Sequence, residues 1–332
     1  MKIILMSYLK ERAAKVYAKH LDELRELDGF CDVFYDKEMI LAEPDAFKDV
    51  EYIFSTWGMD GFTEEQIKSI FPKLKCIFYA AGTVQTFARP FLNCGVRIFS
   101  AWAANAIPVA EYTAAQVILA NKGLYTATRV FKNVGWEASR EAIDGYLCNY
   151  NTKVGIIGTG MIGRATIELL KPYDIEILAY SQSLTDEKAA KLGVTRASVE
   201  TIFEECTVIS NHLADNAHTK NYFNYDLFSK MKNYTTFINT GRGAQVVEED
   251  LIRILKENPT ITAILDVTYP EPPVEGSEFY KLDNCILTPH TAGSKGNEVQ
   301  RMAEYAINEF KNYINNKPCE YEVTMDMLET MA

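Results

Sequence analysis

An apolar run that ends in three closely spaced glycines constrains this chain more than any other feature. Val154-Gly155-Ile156-Ile157 leads into Gly158-Thr159-Gly160-Met161-Ile162-Gly163-Arg164, which reads as a buried strand entering a Gly-x-Gly-x-x-Gly turn that opens a helix. The three glycines answer different steric demands. Gly158 permits the tight turn, Gly160 lets the backbone approach a pyrophosphate, and Gly163 lets the helix lie close on the strand. The start of such a helix offers free N–H groups and partial positive charge, so Gly158, Gly160, Met161, Ile162 and Gly163 are expected to cradle a dinucleotide. A glycine-rich turn with no ligand is the bland alternative, and strand, loop and helix in register argue against it.

The group that reads the adenosine ribose is expected at the end of the next strand, within Ile177 to Ser183. No acid stands there. Ser181 occupies the position where Asp or Glu would bind the 2'-hydroxyl and repel a 2'-phosphate. No Arg follows it, and the nearest cation, Lys188, falls in a predicted helix. The expected coenzyme is therefore NAD, with NADP retained.

Short apolar runs alternate with helical patterns on both sides of this loop, the mark of parallel α/β sheets. In the first hundred residues the runs are Ile3 to Ser7, Val50 to Thr56, Leu74 to Ala80 and Val96 to Ser100, with helices over Ala13 to Leu27 and Thr63 to Phe71. Thr63 and Gln66 form a capping box that marks a helix start. A second series follows at Lys153 to Gly158, Ile175 to Ser181, Thr207 to Asn211, Thr235 to Asn239, Ile261 to Val267 and Cys285 to Thr288. The last helix, Asn297 to Asn315, has no strand of its own and is expected to pack back on the first series. The expected architecture is α/β, with two Rossmann-like or flavodoxin-like domains. A coenzyme domain, 104–293, is inserted into a discontinuous domain made of 1–103 and 294–332.

Ala101 to Ala120 has the length of a membrane span, but Asn105, Pro108, Glu111 and Gln116 interrupt it, so a helix packed between domains or subunits is expected instead. Thr126 to Asn151 shows no clear period and reads as a long excursion over the surface, an arm. A formal net charge of -11 disfavours nucleic acid as a partner. The seven cysteines lack CxxC spacing and suit reduced thiols, which points to the cytoplasm. The apolar start is too short for a signal peptide, and neither a membrane partner nor a metal site is expected.

Three late strands each end in polar chemistry: Asn239-Thr240-Gly241-Arg242-Gly243, Asp266-Val267-Thr268-Tyr269-Pro270-Glu271, and Thr288-Pro289-His290. Taken singly, a loop Arg is usually a solvated charge, a Glu between prolines a loop residue, and a His a packing partner. Together, at strand ends behind a dinucleotide loop, Arg242, Glu271 and His290 supply a cation, an orienting carboxylate and a general acid/base.

With these residues in view, the chain resembles the D-isomer-specific 2-hydroxyacid dehydrogenases over nearly its whole length. The family's Asn-x-x-Arg-Gly corresponds to Asn239 to Gly243, its Asp with a Glu five residues on to Asp266 and Glu271, and its Thr-Pro-His to Thr288 to His290. The motif opening its long interdomain helix corresponds to Asn105 through Glu111. The resemblance implies NAD(P)H-dependent reduction of a 2-oxo acid to a D-2-hydroxy acid. It places the substrate carboxylate on Arg242 and on the Ala80-Ala81-Gly82-Thr83 turn, and coenzyme contacts at Ser181, His212, Thr240 and Asp266. It implies a homodimer formed through helix and arm, and Trp57 falls near the expected substrate pocket, with a place in the core as the alternative. Ser181 for Asp, Tyr112 for His, and Ala214-Asp215-Asn216 for Pro-Leu-Thr depart from the family pattern. The rival reading is an NAD(H)-sensing, co-repressor-like protein without turnover.

Overall fold

The computed structural model describes residues 2–329. The chain divides into two compact units, one built from the segments up to Asn105 and from Ser294 onward, the other from Ala106 to Gly293. In chain order the first unit contributes strands β1 (Ile3–Met6), β2 (Phe30–Tyr35), β3 (Tyr52–Ser55), β4 (Cys76–Tyr79) and β5 (Arg97–Ser100). The second contributes β6 (Tyr150–Ile157), β7 (Asp174–Tyr180), β8 (Thr195–Arg196), β9 (Val208–Asn211), β10 (Thr236–Asn239), β11 (Thr262–Leu265) and β12 (Cys285–Leu287), and β13 (Glu322–Val323) returns to the first.

Sheet order in the first unit is β13-β5-β4-β3-β1-β2, with β13 antiparallel to β5 and the other pairs parallel. Sheet order in the second unit is β12-β11-β10-β9-β6-β7-β8, parallel throughout. Strand order reverses at β1 in one sheet and at β6 in the other. Ligands of open α/β sheets bind outside the carboxyl ends of strands at such a switch point, and β6 runs directly into Gly158.

The first core is aromatic. Phe78 stacks on Phe99 with ring centroids 5.1 Å apart, and Phe310 meets Phe54 and Phe78 edge-on at 5.2 and 5.4 Å. Phe310 belongs to the helix Val299–Ile314, which buries Met302, Ala303, Ala306, Ile307 and Phe310 along one stripe, as an amphipathic helix on a sheet must. The last helix thus packs on the first sheet, as expected.

Some expectations needed correction. The segment Thr126 to Asn151 is not an irregular excursion: it holds most of the helix Leu124–Asn133 and the whole of Trp136–Ile143, separated at Gly135, whose φ is 130°. Both helices are short, and apolar side chains of theirs such as Phe131 and Trp136 face outward rather than into a core. The helix expected over Ala13 to Leu27 is two, Lys10–Tyr17 and Leu21–Arg25. Strands β2, β8 and β13 were not anticipated, since β2 is an edge strand of mixed burial and the other two are each two residues long. The Ala-rich stretch is one helix, Trp102–Asn121, and among the described residues no helix is long and apolar enough to cross a membrane.

Candidate active site

The glycine loop has the geometry its sequence requires. Gly158 sits at φ +101°, and a β-carbon there would come within 2.4 Å of the His212 carbonyl oxygen. One on Gly163 would lie 2.0 Å from the Gly158 oxygen, whereas Gly160 faces open space with nothing within 4 Å. No side chain caps the helix Met161–Leu170, and the N–H groups of Met161 and Ile162 have no protein acceptor among the described residues. An open, uncapped helix start behind an obligatory glycine turn fits a pyrophosphate.

His212 follows β9 and faces this loop through its backbone. Its Nε2 lies 3.0 Å from the Ser210 hydroxyl, and burial lowers the ring's pKa to about 4. The unfolded chain therefore takes up a proton between about pH 6.5 and 4 that the folded chain refuses, so stability falls as pH drops through that window. We expect the fall in Tm between pH 7 and pH 4 to be smaller in His212→Asn than in the parent; equal slopes would show that His212 does not drive it.

Arg242, Glu271 and His290 follow β10, β11 and β12, three adjacent strands. His290 Nδ1 lies 2.8 Å from Glu271 Oε1, and both side chains are about half exposed. His290 adopts φ +52°, a left-handed conformation that a non-glycine residue holds only under constraint. The constraint is Asp266. Its backbone oxygen accepts from His290 N at 3.0 Å, and its Oδ1 accepts from the Thr288 hydroxyl at 2.6 Å and from Thr291 N at 2.7 Å. Its Oδ2 accepts from Ala292 N at 2.9 Å. A buried carboxylate thus clamps the turn on both sides of the histidine, a role the sequence did not suggest. Thr240, expected at the coenzyme, is buried with its hydroxyl 3.4 Å from that of Thr113.

Arg242 is set by a buried amide network that sequence reasoning missed. Asn239 Oδ1 accepts from Gly241 N at 3.0 Å, and its Nδ2 donates to the Arg242 oxygen at 3.1 Å. Gln245 Oε1 accepts from Arg242 N at 3.2 Å and from Asn211 Nδ2 at 2.6 Å, while its Nε2 donates to the oxygens of Leu213 and Ala214. The available signal was an amide within otherwise apolar runs, Gln245 before Val246-Val247 and Asn211 after Val208-Ile209.

In the first unit, Ser100 Oγ donates to the oxygens of Ala81 and Gly82, and Thr56 Oγ1 to that of Ala80. The N–H groups of Ala81, Gly82 and Thr83 have no protein acceptor among the described residues, so three donors are left for an anion. Ala80 drops out of the expected four, because its N–H donates to Ser55 at 2.7 Å. Trp57 is half-buried, with the Arg12 guanidinium 3.8 Å from its ring centroid.

Comparison with known proteins identifies the family of the chain. The profile of the D-isomer specific 2-hydroxyacid dehydrogenase family, NAD binding domain, matches residues 114–292, more than half of the chain. The D-3-phosphoglycerate dehydrogenase of Archaeoglobus fulgidus is 28% identical over 235 residues, 71% of this chain and 44% of that protein. The formate dehydrogenase of Neurospora crassa is 26% identical over 294 residues, 85% and 76% respectively. The chain spans about half the length of several such curated relatives. Among solved structures, the NAD-complexed D-isomer specific 2-hydroxyacid dehydrogenase of Lactobacillus delbrueckii ssp. bulgaricus superposes with a TM-score of 0.78 at 18% identity, covering 98% of this chain and 100% of that one. With an NAD(P)-binding domain between the two parts of its other unit, the chain belongs to the D-isomer specific 2-hydroxyacid dehydrogenase family.

Proposed function

We propose that the protein interconverts a 2-oxo acid and a D-2-hydroxy acid with NAD(P)H. The observation that carries this reading is the His290–Glu271 pair on strand ends adjacent to that of Arg242, behind an open dinucleotide loop. The bound nicotinamide supplies the hydride in reduction and accepts it in oxidation. Arg242 meets the substrate carboxylate with its planar fork. Because Nδ1 of His290 faces Glu271, Nε2 is the atom that delivers a proton to the carbonyl oxygen in reduction and removes it from the hydroxyl in oxidation. Glu271 fixes the ring's orientation and balances the imidazolium before the proton leaves. Asp266, its carboxylate occupied by the histidine turn, serves position first and the nicotinamide carboxamide second.

A panel of 2-oxo acids with NADH and NADPH, followed at the nicotinamide absorbance band, tests the reading. Turnover of at least one acid is the expected result. Coenzyme binding without turnover of any would favour the sensing role instead.

A second copy of the chain is the proposed macromolecular partner. Phe131, Val134 and Trp136 are 52 to 73% exposed in the isolated chain, with the rings of Phe131 and Trp136 5.8 Å apart, an apolar cluster open to a partner surface. We expect light scattering on the purified protein to give the mass of a dimer; a monomer mass at micromolar concentration would remove this partner.

A further inference from the structure

At the end of β7 the structure gathers three donors and no acid acceptor. The Gly158 N–H donates to the Tyr180 oxygen at 2.7 Å, and Ile157 pairs with Tyr180, so Ser181 emerges directly beside the dinucleotide loop. Its hydroxyl lies 3.3 Å from that of Ser183. Lys188, from the helix Asp186–Leu192, turns back on this loop and its Nζ donates to the Ser183 oxygen at 2.9 Å. Its helical position therefore does not remove it from the loop, so of the two sequence features that favour NAD only the absence of an Arg after Ser181 remains. Lys188 is exposed and bonds no carboxylate among the described residues, so its charge is not already neutralised. The nearby acids are matched elsewhere: Asp186 pairs with Arg196 at 3.2 Å and Glu187 with Lys191 at 2.7 Å.

Resting on the coenzyme reading above, we infer that Ser181, Ser183 and Lys188 form a subsite for the 2'-phosphate of NADPH, and that the chain binds NADPH more tightly than NADH. A ribose 2'-hydroxyl calls for an acceptor, and the run Ser181-Gln182-Ser183-Leu184-Thr185 holds no carboxylate. A dianionic phosphate calls for hydroxyl and ammonium donors, and these are the groups present. The backbone of Ser183 already holds the Lys188 ammonium at the loop, so little ordering is needed on binding.

The test is equilibrium binding of the full chain, followed by nicotinamide fluorescence. At low ionic strength the parent should bind NADPH about tenfold more tightly than NADH, and added salt should shrink that ratio. Lys188→Met should bring the ratio close to one. Ser181→Asp should move it toward NADH by at least about tenfold, since the new carboxylate accepts from the ribose and repels the phosphate. Adenosine 2',5'-bisphosphate should displace NADPH better than adenosine 5'-phosphate does. An NADH preference in the parent, or an unchanged ratio in Lys188→Met, overturns the subsite and leaves the dehydrogenase reading standing. Failure to bind either nucleotide overturns both.

Discussion

His290→Ala should turn over its best substrate roughly 100- to 10,000-fold more slowly than the parent, the usual scale for loss of a general acid/base. The expectation follows from geometry. With Nδ1 held 2.8 Å from Glu271, Nε2 is the one ring atom left to exchange a proton with substrate oxygen, and no second histidine stands in this stretch of chain. Coenzyme binding should be nearly intact, because the turn stays clamped by Asp266 through Thr288, Thr291 and Ala292. His290 lies at φ +52°, where alanine is no better accommodated than histidine, so His290→Asn is a useful second variant: Asn tolerates the left-handed region and also lacks the acid/base group. Both should fail alike in steady-state turnover while binding nucleotide as the parent does. Near-normal kcat in either folded variant would remove His290 from the mechanism.

Much of this site was legible from sequence because the family of chemistry it serves is written at strand ends. A Gly-x-Gly-x-x-Gly turn can be read locally, since each glycine answers a steric demand within a few residues, and the clash distances at Gly158 and Gly163 show those demands in space. Arg242, Glu271 and His290 could be grouped because three apolar runs led into them. What escaped was made by contacts distant in sequence. Gln245 reaches Asn211, 34 residues away, and nothing in its own segment says that it braces Arg242. Asp266 could be read as a coenzyme contact, yet its carboxylate accepts from residues 22 to 26 positions later. Lys188 belongs to a helix, yet a four-carbon stem lets its ammonium act beyond the helix that carries it, which the sequence does not show. In the 124–143 helices the exposed Phe131 and Trp136 show that apolar side chains need not mark the face that packs inward.

Arg242→Lys should not rescue activity although it keeps the charge. The backbone of residue 242 would be unchanged, because Gln245 and Asn239 bond its N–H and its oxygen rather than its side chain. The variant therefore isolates the shape of the cation from the shape of the loop. In the parent, Arg242 Nη1 donates to the Gly241 oxygen at 2.8 Å, which fixes the guanidinium plane while leaving its other N–H groups for a carboxylate. An ammonium has one centre where the fork has two, so it can replace one of two parallel charge-assisted bonds. Losing the other, at about 1.5 to 3 kcal/mol, lowers kcat/KM by roughly ten- to a hundredfold, and misalignment of the carbonyl against His290 adds to the loss. The loss should fall on the 2-oxo acid and not on the nucleotide, so the Kd for coenzyme is the internal control. Gln245→Leu provides the complementary case: the fork remains but the turn beneath it loses its acceptor, and the amide of Asn211 is left without one of its partners in a buried site. If Lys at 242 matched the parent in kcat/KM on its best substrate, Arg242 would act as a point charge only, and the bidentate geometry assigned to it would have to be given up.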